Sequence, residues 1–488
     1  MAKISETLSR ALPAIGTWCV FPLAVAFLPV VFGGEPRGGM TAFVGATVID
    51  GTGSAPVSDA VMLVAGERIA AVGRRADVPI PKEAQVVDAS GQWIIPGLID
   101  AHIHFFQSGG IYTRPDIIDL RSIRPYAEET TWIKQRIPRT LARYLASGVT
   151  SVVDVGGPFW TFDVRGFAGR TAEAPRVAVA GPLVATYMPS ELETNDPPLI
   201  KVNSPAQARA AVRRILARKP DLIKIWFIPT FGWRITGQAG LVQAAIEQGH
   251  AAGVPVMVHA TELEVARAAV HAGADILAHS VEDRRVDEAF VKLLKDRNVV
   301  YITTLVVNEG YREVLDQRVD LADIERRVGD PEVIATFDDL AGLPAWKKLH
   351  LYRWPSRQVM LWNLKRLQQS GVIIAAGTDA GNIGTLHGPA LHRELELMAD
   401  AGLSPQEILT AATRGGAQVM GRGSNLGTLE QGKLADFLLL DADPLADITH
   451  LRRIARVIKG GILFDPQALV TDEVKTGAFR SLREGSRP

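Results

Sequence analysis

Two histidines, His102 and His104, close the run Ile94-Ile95-Pro96-Gly97-Leu98-Ile99-Asp100-Ala101-His102-Ile103-His104. An apolar stretch that pauses at a Pro-Gly turn, resumes and ends in His-x-His predicts a short buried strand. On a strand, side chains two apart stay parallel, so both imidazoles can offer a ring nitrogen to one cation; on a helix they would diverge. Taken alone, the motif also reads as a polar pair in a loop. Lys224 stands in Asp221-Leu222-Ile223-Lys224-Ile225-Trp226-Phe227, among apolar neighbours where an ammonium is expensive to desolvate. Held neutral, the amine can add carbon dioxide and become a carbamate, an anion able to bridge two metal ions. The alternative is a lysine whose head reaches solvent or a carboxylate.

His259 ends the apolar run Val254-Pro255-Val256-Met257-Val258, and His279 ends Ile276-Leu277-Ala278. Each follows a strand-like run and precedes a helical pattern, which places both at the carboxyl rim of a barrel, where active sites lie. A lone histidine there is satisfied by a hydrogen bond; two on consecutive strands point to shared work. Asp379 follows Ile373-Ile374-Ala375-Ala376-Gly377-Thr378 at another strand end, and Gly377 and Gly381 beside it permit close backbone approach. A carboxylate so placed can bind a metal and shuttle a proton, or it can cap a helix or turn. Asn382 and His387 follow closely enough to line the same pocket. Tyr301 and Thr304 are lesser candidates, and His250 and His271 fall inside helical patterns and read as structural.

A frame is needed to bring these residues together. Strand-like runs are Leu98 to His102, Val149 to Asp154, Arg176 to Ala180, Leu222 to Phe227, Val254 to His259, Ile276 to His279, Val299 to Thr304 and Val372 to Gly377. Helical patterns separate most of them: Thr140 to Ser147, Pro205 to Arg218, Leu241 to Ala252, Glu262 to Ala272, Asp287 to Arg297 and Arg357 to Ser370. Eight strands with crossover helices is the count of a (β/α)8 TIM barrel, expected over 96–421. His387 to Ala401 and Pro405 to Met420 would close the ring. The connection after Thr304 far exceeds the roughly 12 to 15 residues at which loops usually fold or act, so a lid-like insertion is expected over about 305–356. Short β-branched runs separated by Gly, Asp and Pro occur at both ends of the chain, over 41–95 and 422–470. They predict a small composite β-sandwich domain built from both ends, with 471–488 as a tail.

Lys plus Arg and Asp plus Glu balance at 53 each, and no basic block offsets a phosphate backbone, so nucleic acid is excluded as a partner. The single cysteine, Cys19, excludes an intramolecular disulfide and a cysteine-based zinc knuckle, leaving His, Asp, Glu or a modified Lys as metal ligands. In residues 1–40, Lys3 and Arg10 precede an apolar run over 11–32 that reads as a signal peptide or a membrane anchor, although Pro13, Pro22 and Pro29 weaken a spanning helix. A periplasmic or membrane-associated location is therefore expected, with membrane attachment through 11–32; a true start at Met40 would make the protein cytoplasmic.

Over roughly Thr41 to Asp465 the chain resembles the amidohydrolase superfamily, in the branch of Xaa-Pro dipeptidases, imidazolonepropionase-like proteins and ochratoxinase-like amidases. Six motifs carry the resemblance, in order: Pro96 to His104, Ile223-Lys224-Ile225, Val258-His259-Ala260, Ala278-His279-Ser280, Gly377-Thr378-Asp379-Ala380-Gly381 and Gly427 to Asp436. It implies two divalent metal ions, zinc by preference. His102, His104 and Asp379 would hold one and His259 and His279 the other, with carboxylated Lys224 between them. A hydroxide shared by the metals would attack, and Asp379 would pass its proton to the leaving nitrogen. Gly427 to Asp436 resembles a structural turn back into the terminal β-domain.

The sequence departs from that branch at two places. Trp226-Phe227-Ile228-Pro229-Thr230-Phe231-Gly232-Trp233 stands where many peptidase-like members have a Gly-rich segment, and Thr261 stands where they tend to have a tyrosine. These departures imply an aromatic wall of Phe105, Phe106, Trp226 and Phe227 and a preference for a bulky, apolar acyl part. The expected reaction is hydrolysis of a carbon–nitrogen amide bond in a small molecule such as a dipeptide or N-acyl amino acid, by a homo-oligomer. The same site would also serve a cyclic amide, a lactone or ester, or a phosphotriester. Imidazolonepropionase itself is disfavoured, since those proteins resemble this chain without the bridging lysine. A metal-free scaffold, from another class, would have let the six ligand positions decay, and all are intact.

Overall fold

Alternating apolar residues build the first strands: β1 (Met40–Val48), β2 (Val57–Ala65), β3 (Arg68–Arg74), β4 (Gln85–Asp88) and β5 (Trp93–Pro96). The computed structural model describes residues 39–229, 235–342 and 355–471. Ten shorter strands follow: β6 (Leu98–Ile103), β7 (Val149–Asp154), β8 (Arg176–Val179), β9 (Leu183–Ala185), β10 (Leu199–Lys201), β11 (Ile223–Trp226), β12 (Val256–His259), β13 (Ile276–Ala278), β14 (Val300–Ile302) and β15 (Ile373–Ala375). The chain ends with β16 (Phe437–Leu440), β17 (Ile454–Lys459) and β18 (Ile462–Phe464).

Both ends of the chain share one sheet, in the order β18-β17-β16-β5-β1-β2-β3, with β4 paired to β1. Strand period sorts its residues. Phe43, Met62, Phe437 and Leu439 bury one face, and Ala42, Val44, Val61 and Leu63 pack on the other with Val78. The rings of Phe43 and Phe437 meet edge to face at 5.1 Å, which ties the two ends together. From β5 the chain passes into β6 through Pro96-Gly97, where a side chain on Gly97 would collide with Thr150.

The middle of the chain is TIM-barrel-like. β6, β7 and β8 form one parallel sheet and β10-β9-β11-β12-β13-β14-β15 another. Buried on both faces, these strands read as nearly continuous apolar runs. One face packs Ile99, Ala101, Val153, Ala178, Met257, Ala278 and Ile302 together, while helix residues such as Leu141, Val212, Val270 and Leu364 cover the other. Strand ends meet across the two sheets: Ala101 N donates to Ala376 O at 3.0 Å, and Asp221 N to Val179 O at 3.0 Å.

Two elements differ from the sequence expectation. The run Arg176 to Ala180 is only the first half of an interrupted strand; Gly181, at φ +76°, turns the chain and β9 resumes against β11. The first crossover helix runs over Tyr126–Ala146, with Pro138 inside it, and so begins well before Thr140. Pro125 and Pro138 masked its periodicity in the sequence. Within the expected insertion the chain forms helices at Val306–Leu315, Asp323–Val328 and Pro331–Ala335; its remainder at 343–354 lies outside the described residues.

The expected periplasmic or membrane-associated location is corrected. Among the described residues no helix is long and apolar enough to cross a membrane. The 21-residue helix Tyr126–Ala146 is long enough, but it carries Glu128, Glu129, Lys134, Arg136, Arg139 and Arg143. The apolar run over 11–32, which carried that expectation and the one of membrane attachment, lies outside the described residues, as does the tail from 472.

Candidate metal centre

β6 delivers His102 in full burial, and Asp100 fixes the strand end around it. Asp100 Oδ1 accepts from His102 N at 3.2 Å and Thr378 N at 3.0 Å, and Oδ2 accepts from Thr378 Oγ1 at 2.6 Å. These bonds strap β6 to the segment after β15. His102 O then accepts from Asp379 N at 2.7 Å. Such closeness requires Gly377, because a Cβ there would lie 2.7 Å from His102 Cβ. Asp379 itself takes the left-handed conformation, at φ +61°, which turns its carboxylate toward the histidines.

Five side chains converge. Asp379 Oδ1 lies 3.1 Å from His104 Nε2 and 3.5 Å from His102 Nε2, and its Oδ2 is 3.9 Å from His279 Nδ1. Ring centroids are 4.6 Å apart for His102 and His279 and 4.3 Å for His259 and His279. His104 Nδ1 donates to Gly156 O at 2.7 Å, which leaves its Nε2 directed at Asp379. His279 Nδ1 meets Thr304 Oγ1 at 2.8 Å. Burial holds His102 and His259 well below the ordinary histidine range and His279 down at about 3, with neighbouring Lys224 and imidazoles adding to the effect, so these rings are neutral.

Neutral imidazoles and a carboxylate that face one another lack a positive centre. His102 Nδ1, His102 Nε2 and Asp379 Oδ1 are all buried without a hydrogen-bond partner. Each such group costs on the order of 1–3 kcal/mol when left unmet. His102, His279 and Asp379 place ligand atoms within 4.8 Å of one another, a donor set that fits a divalent metal.

Lys224 stands opposite Met257 in the β11–β12 register, and its Nζ is 3.6 Å from Met257 Sδ. It is 1% exposed, and burial pushes its pKa down to about 7, with Asp379 partly opposing. Lys224 shares the wall of a cavity of about 550 Å³ with His104, His259, His279 and Asp379.

Phe106, Trp226 and Asn382 line that cavity as expected from the sequence. Phe105, Phe227 and His387 do not. Phe105 packs against Tyr144 and His387 with ring centroids at 6.1 and 5.9 Å, Phe227 is buried in the main core, and His387 bonds Tyr144 Oη at 2.7 Å and Gln107 O at 2.8 Å. Side chains alternate at a strand end, so the neighbours of His104 and Trp226 point away from the residues beside them.

The cavity also holds residues the sequence did not announce. Arg114 donates from Nε and Nη2 to Asp116 at 2.8 and 2.6 Å, and from Nη1 to Tyr311 Oη at 2.9 Å and to Asn382 Oδ1. Asn382 Nδ2 donates to Asp379 O at 3.0 Å, so this clamp reaches the backbone of the metal-site carboxylate. The charged pair Arg114-Pro115-Asp116 soon after His-x-His is the signal the sequence offers for this clamp. Leu183, Tyr187, Leu192, Leu199 and Trp226 form an apolar side of the same cavity.

The sequence profile of the amidohydrolase family matches residues 93–463. The imidazolonepropionase of Aromatoleum aromaticum is 26% identical over 420 residues, covering 80% of this chain and 88% of that protein. The structure of a prolidase candidate from Bifidobacterium longum aligns with a TM-score of 0.65 at 27% identity, covering 87% of this chain and 94% of that one. The A. niger ochratoxinase aligns with a TM-score of 0.66 at 21% identity over 90% of this chain and 99% of its own, a likeness of fold. With a match running from β5 through every strand end described above to β18, the chain belongs to the amidohydrolase family and is a hydrolase of carbon–nitrogen bonds.

Proposed function

We propose that the chain hydrolyses an amide bond of a small molecule, of the dipeptide or N-acyl amino acid type, with two divalent metal ions. His102, His104 and Asp379 would hold one, His259 and His279 the other, and Lys224, as its carbamate, would bridge them; zinc suits this donor set. The observation that carries the reading is the unpaired ligand set of His102 and Asp379, buried beside a lysine that burial has brought near neutrality. The neutral Lys224 amine adds to the carbon of carbon dioxide and releases a proton, leaving an anion where a lone ammonium would repel a cation.

When bound, the metal pair supplies a water of lowered pKa and polarises the scissile carbonyl. Asp379 takes the proton of the attacking water on a carboxylate oxygen and delivers it to the leaving nitrogen, without which an amide anion would have to depart. The Arg114, Tyr311 and Asn382 clamp keeps that carboxylate aimed. The apolar side around Trp226, in a cavity that Phe106 also lines, accepts a bulky acyl group and excludes water.

The supporting frame is read in the same way. Hydrogen bonds from Ala101 N to Ala376 O and from Asp221 N to Val179 O support a closed barrel over 96–421. The two buried faces of β1 and β2 support a composite β-sandwich from 41–95 and 422–470, and the three helices from Val306 to Ala335 a lid over the barrel mouth. Metal analysis of the purified protein beside a Lys224→Ala variant, followed by a panel of amides, tests the reading. About two equivalents of zinc are expected in the parent and about one in the variant, by the bridging role. Equal metal content in both, or turnover of small charged dipeptides in preference to N-acyl aromatic amides, contradicts it.

A further inference from the structure

Lys219, Asn298 and Gln317 sit at positive φ just after helices, where a left-handed residue is an ordinary way to stop. His279 at +78°, Thr304 at +48° and Asp379 at +61° instead follow the neighbouring strands β13, β14 and β15. Two of these three are candidate ligands. The third, Thr304, is β-branched, so for it the conformation is a genuine outlier, and strain of that kind collects at functional sites.

Thr304 is held in place from both sides. Its own N donates to Gly377 O at 3.1 Å. Before it, Thr303 O accepts from Ser280 Oγ at 2.7 Å, and Thr303 Oγ1 donates to Glu394. Beyond it, Val306 N donates to the other Glu394 oxygen at 2.7 Å. So braced, Thr304 sets its Oγ1 2.8 Å from His279 Nδ1, and both residues line the cavity with Asp379.

Packing alone leaves this imidazole undecided. His102 and His259 flank it with ring centroids at 4.6 and 4.3 Å, but turning the ring over exchanges Nδ1 for a carbon of similar size and leaves its outline unchanged. Only a polar partner at one edge tells the two orientations apart, and the bond it makes decides which nitrogen carries the proton. Asp379 Oδ2, 3.9 Å from Nδ1, favours a proton on that side.

We propose that Thr304 is a positioning residue: its hydroxyl accepts the Nδ1 proton of His279, fixes the orientation of that ring and leaves Nε2 as the nitrogen offered to a metal ion. This rests on the metal-centre reading above and adds to it the residue that keeps one ligand in register.

Thr304→Val keeps the branched shape and removes the hydroxyl, whereas Thr304→Ser keeps the hydroxyl and removes the methyl group. Zinc affinity of the metal-free proteins, measured by chelator competition, is expected to fall roughly tenfold to a hundredfold at one site in the valine variant and to stay at the parent's value in the serine variant. Nitrogen NMR spectra of metal-free protein with isotope-labelled histidine, in which His279 is assigned by its loss in His279→Asn, report the ring directly. The proton should sit on Nδ1 in the parent and the serine variant and be shared between both nitrogens in the valine variant, a change that a merely structural role would not produce. A valine variant with the parent's zinc affinity or the parent's ring proton overturns the proposal, and so does a serine variant as weak as the valine one. If the parent takes up no zinc, the metal reading is what fails. The ring proton then decides about Thr304 by itself, and the same proton position in parent and valine variant overturns it.

Discussion

The amide nitrogen of Asp379 donates to the carbonyl oxygen of His102 at 2.7 Å, so the residue that follows the last barrel-region strand is pinned to a histidine near the end of the first. The arrangement of the candidate metal site is thereby a property of the frame as much as of its side chains. Gly377, beside this bond, leaves no room for a side chain. Gly377→Ala is expected to destabilise the protein by about 1–3 kcal/mol through overpacking, and to lower its metal content. Urea denaturation together with metal analysis checks both; a variant that keeps its metal shows that the separation at this point is not critical.

Arg114 and Asp116 form a largely buried ion pair, with side chains 16% and 7% exposed. Removing one partner leaves the other charge uncompensated, so Arg114→Met alone should cost about 3–5 kcal/mol. The double change Arg114→Met with Asp116→Leu should recover a large part of that stability while activity stays reduced, because Asn382 keeps only the Tyr311 hydroxyl of its two anchors. A double-mutant cycle on stability and on kcat separates the two effects. Equal losses of stability in the single and double variants would count against the pair.

Glu394, fully buried on the helix Ala390–Asp400, accepts from Val306 N at 2.7 Å and from Thr303 Oγ1. Next to Thr303, Thr304 adopts φ +48° and meets His279. Burial raises the Glu394 carboxyl from 4.5 to about 7, against the pull of these hydrogen bonds. The folded protein therefore binds more protons than the unfolded chain between about pH 4.5 and 7, and the stabilising contribution of this proton is full below 4.5 and lost as pH rises through 7. Glu394→Gln should flatten the stability curve in that window, by on the order of 1–3 kcal/mol across it. Thermal midpoints of both proteins from pH 4.5 to 7 measure the difference; parallel curves would contradict it.

Trp226 closes the apolar side of the cavity, with the Tyr187 ring centroid 6.3 Å away. Trp226→Ala should raise KM for N-benzoyl substrates by roughly tenfold or more, with a much smaller change for N-acetyl ones, because buried aromatic area is what is lost. Steady-state kinetics with both acyl groups checks this. A uniform loss of kcat for both would instead place Trp226 close to the chemistry.

The residues of the proposed ligand set could be picked out in the sequence because they stand in or at the end of apolar strands buried on both faces. His102, His259, His279 and Asp379 all stand where such runs stop. Less legible were features set by tertiary partners. Gly181 breaks the third strand in two, and prolines at 125 and 138 hide the helix beginning at Tyr126. Phe105 and Phe227 were assigned to the cavity from adjacency, whereas strand alternation turns them into the core. Arg114 was passed over because its role exists only once Asp116, Tyr311 and Asn382 surround it.

Anomalous scattering at the zinc edge, from crystals of the parent grown with zinc and bicarbonate, locates the metals directly. Two peaks are expected, one touching His102, His104 and Asp379 and the other His259 and His279, with density for a carbamate on Lys224 Nζ between them. A single peak, or an unmodified Lys224 turned away from the histidines, would contradict the paired centre.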